Sequence, residues 1–135
     1  MMRQITVATE LKTQVIDLTE QCQSMIGNVK NGLAVFYLTH TTAALILCED
    51  DADLREDLVK IAENWLREMR PFRHARRSNP NAEAHILSAF AGASLAVPIV
   101  SGKLALGVWQ NILLLELDGP NQRKITCMTI ETAQR

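Results

Sequence analysis

The sequence predicts a single α+β domain with a mainly antiparallel sheet. Short apolar or β-branched runs recur along the whole chain, each bounded by turn residues. One long stretch, ending before Pro71, carries apolar residues at helical spacing. The chain has 135 residues, 47% of them hydrophobic, which is enough for one core and leaves little room for a second. Strands in series with helices inserted between them define the class.

The elements follow in chain order. Ile5 and Val7 alternate with polar neighbours and mark a first strand. Thr13 to Leu18 is the second, from its β-branched content. Glu20 to Ile26 reads as a short helix with Thr19 as its N-cap and Gly27 as its end. Asn31-Gly32 is a turn signal. Leu33 to Thr39 and Ala43 to Cys48 are buried strands flanking the polar island Thr39-His40-Thr41-Thr42. Asp51 or Asp53 caps the long helix, whose core face is expected to be Leu54, Leu58, Ile61, Trp65, Leu66 and Met69. Pro71 stops it.

A basic loop runs from Pro71 to Asn81. A short helix from Ala82 to Phe90 carries His85 and ends at Gly92. Strands are expected at Leu95 to Val100, Lys103 to Leu106, Ile112 to Leu117 and Lys124 to Ile130. Ser101-Gly102 and Asp118-Gly119-Pro120 are turns. Leu113-Leu114-Leu115 does not alternate, so both faces of that strand require cover. One helix covers one face; a second subunit is expected to cover the other, making the protein a homo-oligomer.

Composition excludes several functions. Fourteen basic and 15 acidic side chains give a formal charge of −1, which lacks the basic footprint of a nucleic-acid binder. No apolar run approaches the roughly 20 residues that span a bilayer, and residues 1–10 do not read as a secretory leader. Cys22, Cys48 and Cys127 are isolated and odd in number, which points to reduced thiols and a cytoplasmic location.

The residues able to carry chemistry are polar groups beside apolar runs. His40 lies at a strand end, His74 in the basic loop and His85 on the short helix. Three imidazoles and an open water position form a common catalytic metal site. Their spacing is no metal motif, however, and histidines so scattered are more often unrelated than ligands of one ion. Thr41 and Thr42 offer hydroxyls. Arg73, Arg76, Arg77 and Arg123 are candidates for holding phosphate. Glu49 and Asp57 are either bases or ordinary helix-start acids. Trp109-Gln110 offers a flat ring and an amide to a planar ligand, or a core Trp beside a turn. Glu116, inside an apolar strand, needs a partner, and Arg123 across the next turn is the natural one.

The ordered set His40-Thr41-Thr42-Ala43, Glu49, Asp57-Leu58, Arg73-His74, Asn81, Ala84-His85, Ser88, Gly92, Trp109-Gln110, Glu116, Asp118-Gly119-Pro120 and Arg123 resembles the YjbQ family. The match spans nearly the whole chain, which makes residues 1–135 one YjbQ-like domain. Cys48, Phe72 and Val108 depart from the pattern, which has Asn, Tyr and Thr there.

The resemblance implies an α+β homotrimer with a divalent metal, zinc first and magnesium second, held by His40, His74 and His85. It implies a thiamine-phosphate synthase-like enzyme that joins a pyrimidine methyl diphosphate to a thiazole phosphate and releases pyrophosphate. His40, Glu49, Asp57 and Arg123 are then the catalytic candidates. Thr41, Thr42, Asn81, Ser88, Trp109 and Gln110 are the candidates for binding a small phosphorylated metabolite. Two other readings need the same pocket: a metal- and metabolite-binding trimer without turnover, and a metal-dependent phosphate-ester hydrolase.

Overall fold

A computed structural model of the chain describes residues 1–76 and 80–133. Eight strands and three helices follow in the order β1 (Met2–Ala8), β2 (Gln14–Asp17), α1 (Thr19–Met25), β3 (Gly32–Leu38), β4 (Ala43–Cys48), α2 (Ala52–Asn64), α3 (Ala82–Ala91), β5 (Ser94–Val100), β6 (Lys103–Leu104), β7 (Asn111–Glu116) and β8 (Gln122–Glu131). The expected α+β class is what forms. The strands make two antiparallel sheets, one ordered β1-β8-β3-β5-β6 and the other β2-β7-β4.

The local signals explain most boundaries. Asp51 caps α2 by accepting the Leu54 N–H at 3.0 Å. Gly92, at φ 100°, ends α3 in a conformation that side-chain-bearing residues avoid. Thr19 is not the cap of α1: Asp17 accepts its N–H at 2.9 Å, and the Thr19 hydroxyl accepts the Ile112 N–H at 3.0 Å. The hydroxyl thus ties α1 to β7.

Three layers result. The inner face of the larger sheet packs on one face of the smaller sheet, with α1 closing the end; Phe36, Leu45, Ile112, Leu114 and Ile125 fill that core. The other face of the smaller sheet carries Ala44, Leu113 and Leu115, and packs on α2 and α3 through Leu66, Ala84 and Leu87. This explains the unalternating run in β7, where Ile112 through Leu117 are all buried. Both faces of β7 are covered within the chain. The expectation that a second subunit must cover one of them is corrected: the larger sheet does so.

The expected core face of α2 also differs. Leu58, Val59, Ala62 and Leu66 face the smaller sheet, whereas Ile61, Trp65 and Met69 are exposed. The apolar stripe is wider than the sheet it meets, and the buried part lies roughly a quarter-turn round from the exposed part. A second exposed apolar surface is the outer face of the larger sheet, where Met2, Tyr37, Val100, Met128 and Ile130 stand in solvent. Met2 pairs with Met128, and Leu33 with Ile130.

All three cysteines are free thiols, with Cys22 and Cys127 buried. Burial pushes the Cys22 thiol up to about 12. Among the described residues no helix is long and apolar enough to cross a membrane.

Leu114→Ala removes a fully buried side chain from between the two sheets, and is expected to cost about 2–5 kcal/mol in urea unfolding. Ile61→Ala, at 55% exposure, is expected to change stability by less than about 0.5 kcal/mol.

Candidate functional site

The polar centre of the molecule lies where the two sheets meet. Glu116 at the end of β7 and Arg123 near the start of β8 are both fully enclosed and ion-paired. The Arg123 Nε donates to Glu116 Oε1 at 2.9 Å, and Nη2 donates to the carbonyl and hydroxyl of Thr42 at 3.0 and 2.9 Å. Thr9 Oγ1 donates to Glu116 Oε1 at 2.6 Å, and the Leu117 and Asp118 N–H groups donate to Oε2 at 3.0 and 3.2 Å. Burial pushes the Glu116 carboxyl up, but these hydrogen bonds and the guanidinium outweigh it and hold it below its ordinary value. No buried side-chain nitrogen or oxygen among the described residues lacks a partner.

A second polar chain starts from Asp118. The Lys12 ammonium pairs with its Oδ1. The Asn81 Nδ2 donates to its Oδ2 at 2.9 Å, and the Asn81 Oδ1 lies 3.0 Å from His74 Nε2. Burial pushes the Asp118 carboxyl up, and the hydrogen bonds from Lys12 and Asn81 bring it below the usual range. Asn81 occupies the N-cap position of α3 without capping it, because its amide is used in this chain. Gly119 is required beside it: a Cβ there would stand 2.0 Å from the Leu11 carbonyl oxygen.

The three histidines are not equivalent. His74 and His85 meet edge to face with ring centroids 5.0 Å apart. His74 rides on a short 3-10 turn, Arg73–Arg76, and His85 on α3. His40 is bound differently, for its Nε2 accepts the backbone N–H of Lys124 at 2.8 Å. Burial first, then the Arg123 charge, lower its pKa below 6.5. Among the described residues no group of three His, Cys, Asp or Glu side chains is placed to hold a metal. Imidazole is the right donor for zinc, nickel, copper or iron. The His74–His85 pair therefore matches such an ion in donor chemistry, and would give two of the three protein ligands that a catalytic zinc usually has.

The remaining candidates divide. Thr42 is buried against Arg123, and the Ser88 Oγ donates to the Ala43 carbonyl at 2.6 Å, tying α3 to β4. Both hold the frame. Thr41, Glu49 and Asp57 are exposed. Trp109 is 69% exposed, and the Gln110 Oε1 accepts the Gly107 N–H at 2.8 Å, locking the turn. Arg77 and the Arg76 side chain lie outside the described residues. Lys12, Asp118 and Thr9 were not legible as site residues, because Asp118-Gly119-Pro120 reads first as a turn.

An open groove of about 600 Å³ lies beside this chain, lined by Asn81, by Lys12, Arg67 and Arg70, and by Glu63 and Glu83, over an apolar floor that includes Phe72 and Leu87. Asn81 therefore belongs both to the wall of the groove and to the contact with His74.

The description "UPF0047 protein YjbQ-like" fits residues 3–132. The chain belongs to that family. A UPF0047 protein of Archaeoglobus fulgidus is 38% identical over 122 residues, covering 90% of this chain and 95% of the relative. The UPF0047 protein YugU of Bacillus subtilis is 32% identical over 132 residues, covering 94% and 96%. A solved YbjQ-like structure from Sulfolobus solfataricus superposes with a TM-score of 0.91 at 32% identity, covering 98% of this chain and 97% of that one. The fold and the family expected from the residues are thus established.

The thiamine-phosphate synthase activity is not. The Sulfolobus protein is described as of unknown function, a Clostridium acetobutylicum family member as uncharacterised, and the UPF0047 names carry no activity. The geometry adds a reason. Arg123, cast as a helper of departing pyrophosphate, is enclosed and committed to Glu116 and Thr42. The synthase activity is therefore not assigned to this chain.

Because the folded Glu116 carboxyl lies below its ordinary value, its contribution is full above about 4.5 and is lost as pH falls through the folded value. Arg123→Met leaves that carboxylate buried without its counter-charge and is expected to cost about 3–5 kcal/mol at neutral pH. Burial is then opposed only by the Thr9 and backbone hydrogen bonds, so the carboxyl rises and the acid-side loss should shrink. Urea unfolding at neutral pH and below 4.5 reads both effects.

Proposed function

We propose that this protein is a homo-oligomeric binding protein in which His74 and His85 hold a divalent metal, zinc before magnesium, beside a groove that takes a small phosphorylated metabolite. The observation that carries the reading is the imidazole pair, with ring centroids 5.0 Å apart, next to a groove whose wall includes Asn81. Zinc is favoured over magnesium because imidazole nitrogen suits the former and oxygen the latter. Arg67 at the groove supports an anion, while Lys12 and Arg70 there are paired with Asp118 and Glu83, and the apolar floor receives the rest of the metabolite. Metal would supply positive charge for the anion to approach.

The oligomeric part of the reading rests on the outer face of the larger sheet. Met2, Tyr37, Val100, Met128 and Ile130 together make a surface that a monomer keeps wet at a cost. A trimer is the assembly proposed, and the cytoplasm its location, in keeping with three free thiols.

Wild-type protein dialysed against zinc and then against buffer is expected to retain metal, and His74→Ala or His85→Ala to retain at least tenfold less affinity by calorimetry. Equal metal content in all three proteins would sink the proposal. Sedimentation of Met128→Asp with wild type tests the assembly, with a shift toward monomer expected.

A further inference from the structure

We infer that Asn81 and Asp118 are positioning residues that fix His74 in one tautomer, with its proton on Nε2, so that His74 meets its ligand through Nδ1. The inference deepens the proposed metal site. It rests on that reading only for the identity of the ligand.

An ionised carboxylate only accepts hydrogen bonds. Asp118 is held ionised by the Lys12 ammonium on Oδ1. The Asn81 atom 2.9 Å from Asp118 Oδ2 is therefore the amide nitrogen, and no flip of the amide is tolerated there. That leaves the Asn81 carbonyl oxygen, also purely an acceptor, 3.0 Å from His74 Nε2. The ring nitrogen facing it must donate. Nε2 carries the proton in the neutral ring and in the cation alike, and the lone pair of the neutral ring stands on Nδ1.

His40 shows that the neighbourhood, not the residue type, decides the tautomer. Its Nε2 faces a backbone N–H, from Lys124 at 2.8 Å, which only donates. His40 Nε2 must be the bare nitrogen, and its neutral ring carries the proton on Nδ1. The two histidines are thus held in opposite tautomers. His74 offers an electron pair to a transition metal or to an O–H or N–H donor. His40 offers a proton to an acceptor. An outer partner that orients a ligating imidazole is a recurring feature of metal centres, and its loss costs about 10–100-fold in metal affinity.

The test is long-range ¹H–¹⁵N correlation on histidine-labelled, metal-free wild-type protein at alkaline pH, where the rings are neutral. His74 should show a pyrrole-type Nε2 and a pyridine-type Nδ1, and His40 the reverse. A mixed or inverted pattern at His74 overturns the inference, and this measurement needs no variant. In Asp118→Asn the amide at 81 regains both orientations, and in Asn81→Leu it is gone. Each should give a tautomer mixture at His74 while leaving His40 unchanged, and zinc affinity about 10–100-fold weaker. A His74 pattern unaltered in both folded variants also overturns it. If wild type shows the expected tautomer but takes up no zinc, the metal reading fails and the tautomer assignment stands. If zinc binds and its resonance shift falls on His74 Nε2, the metal reading stands and this inference fails.

Discussion

The enclosed ion pair between Glu116 and Arg123 is what the rest of the architecture is arranged around. The two residues sit on strands of different sheets, and their hydrogen bonds reach the ends of two further elements, at Thr9 and Thr42. Taking two charges out of water is costly, and a buried pair contributes little net stability. Its effect is geometric. A carboxylate that accepts from five donor groups and a guanidinium held on three sides tolerate only one relative placement of the sheets. Apolar packing between Leu114 and Phe36 supplies the driving force; the pair sets the register of that packing.

The same carboxylate orients what lies beyond it. The Glu116 Oε2 receives the Asp118 N–H, so the strand end that anchors the sheets also aims the carboxylate serving Asn81 and His74. The frame and the site are therefore one continuous polar structure. His40 joins from the other side through the backbone of Lys124, the residue after Arg123. Hydrogen bonds of about 3 Å thus run from Glu116 through Asp118 and Asn81 to His74.

Local signals were legible in proportion to how local their causes are. β4 begins and ends where its apolar run does, and Asp51 caps α2 as its position suggests. The partnership of Glu116 with Arg123 was readable because an acid inside a leucine-rich strand must be neutralised by something near in sequence. The wide stripe of α2 was misleading, since periodicity shows that a face is apolar but not how much of it a neighbour covers. The cover of β7 by a second sheet was hidden for the same reason: it depends on residues more than 70 positions away, such as Phe36. The site was half legible. The residues alone singled out His74 and His85 but could not pair them. Lys12 and Asp118 escaped notice because a turn acid and a surface lysine carry no periodic signal.

The position of β8 has a consequence for how the protein is made. Residues 122–131 are made after the other described strands, yet β8 lies between β1 and β3, hydrogen-bonded to both. Until Glu131 has left the ribosome, β1 has no neighbour and the larger sheet has a missing centre. The smaller sheet lacks β7 until residue 116 is made. The nascent chain can thus form its helices early but holds Ile5 without a partner strand until β8 has been made. Closure over such sequence separations is slow, so the larger sheet is expected to form only once β8 is available to join β1 to β3.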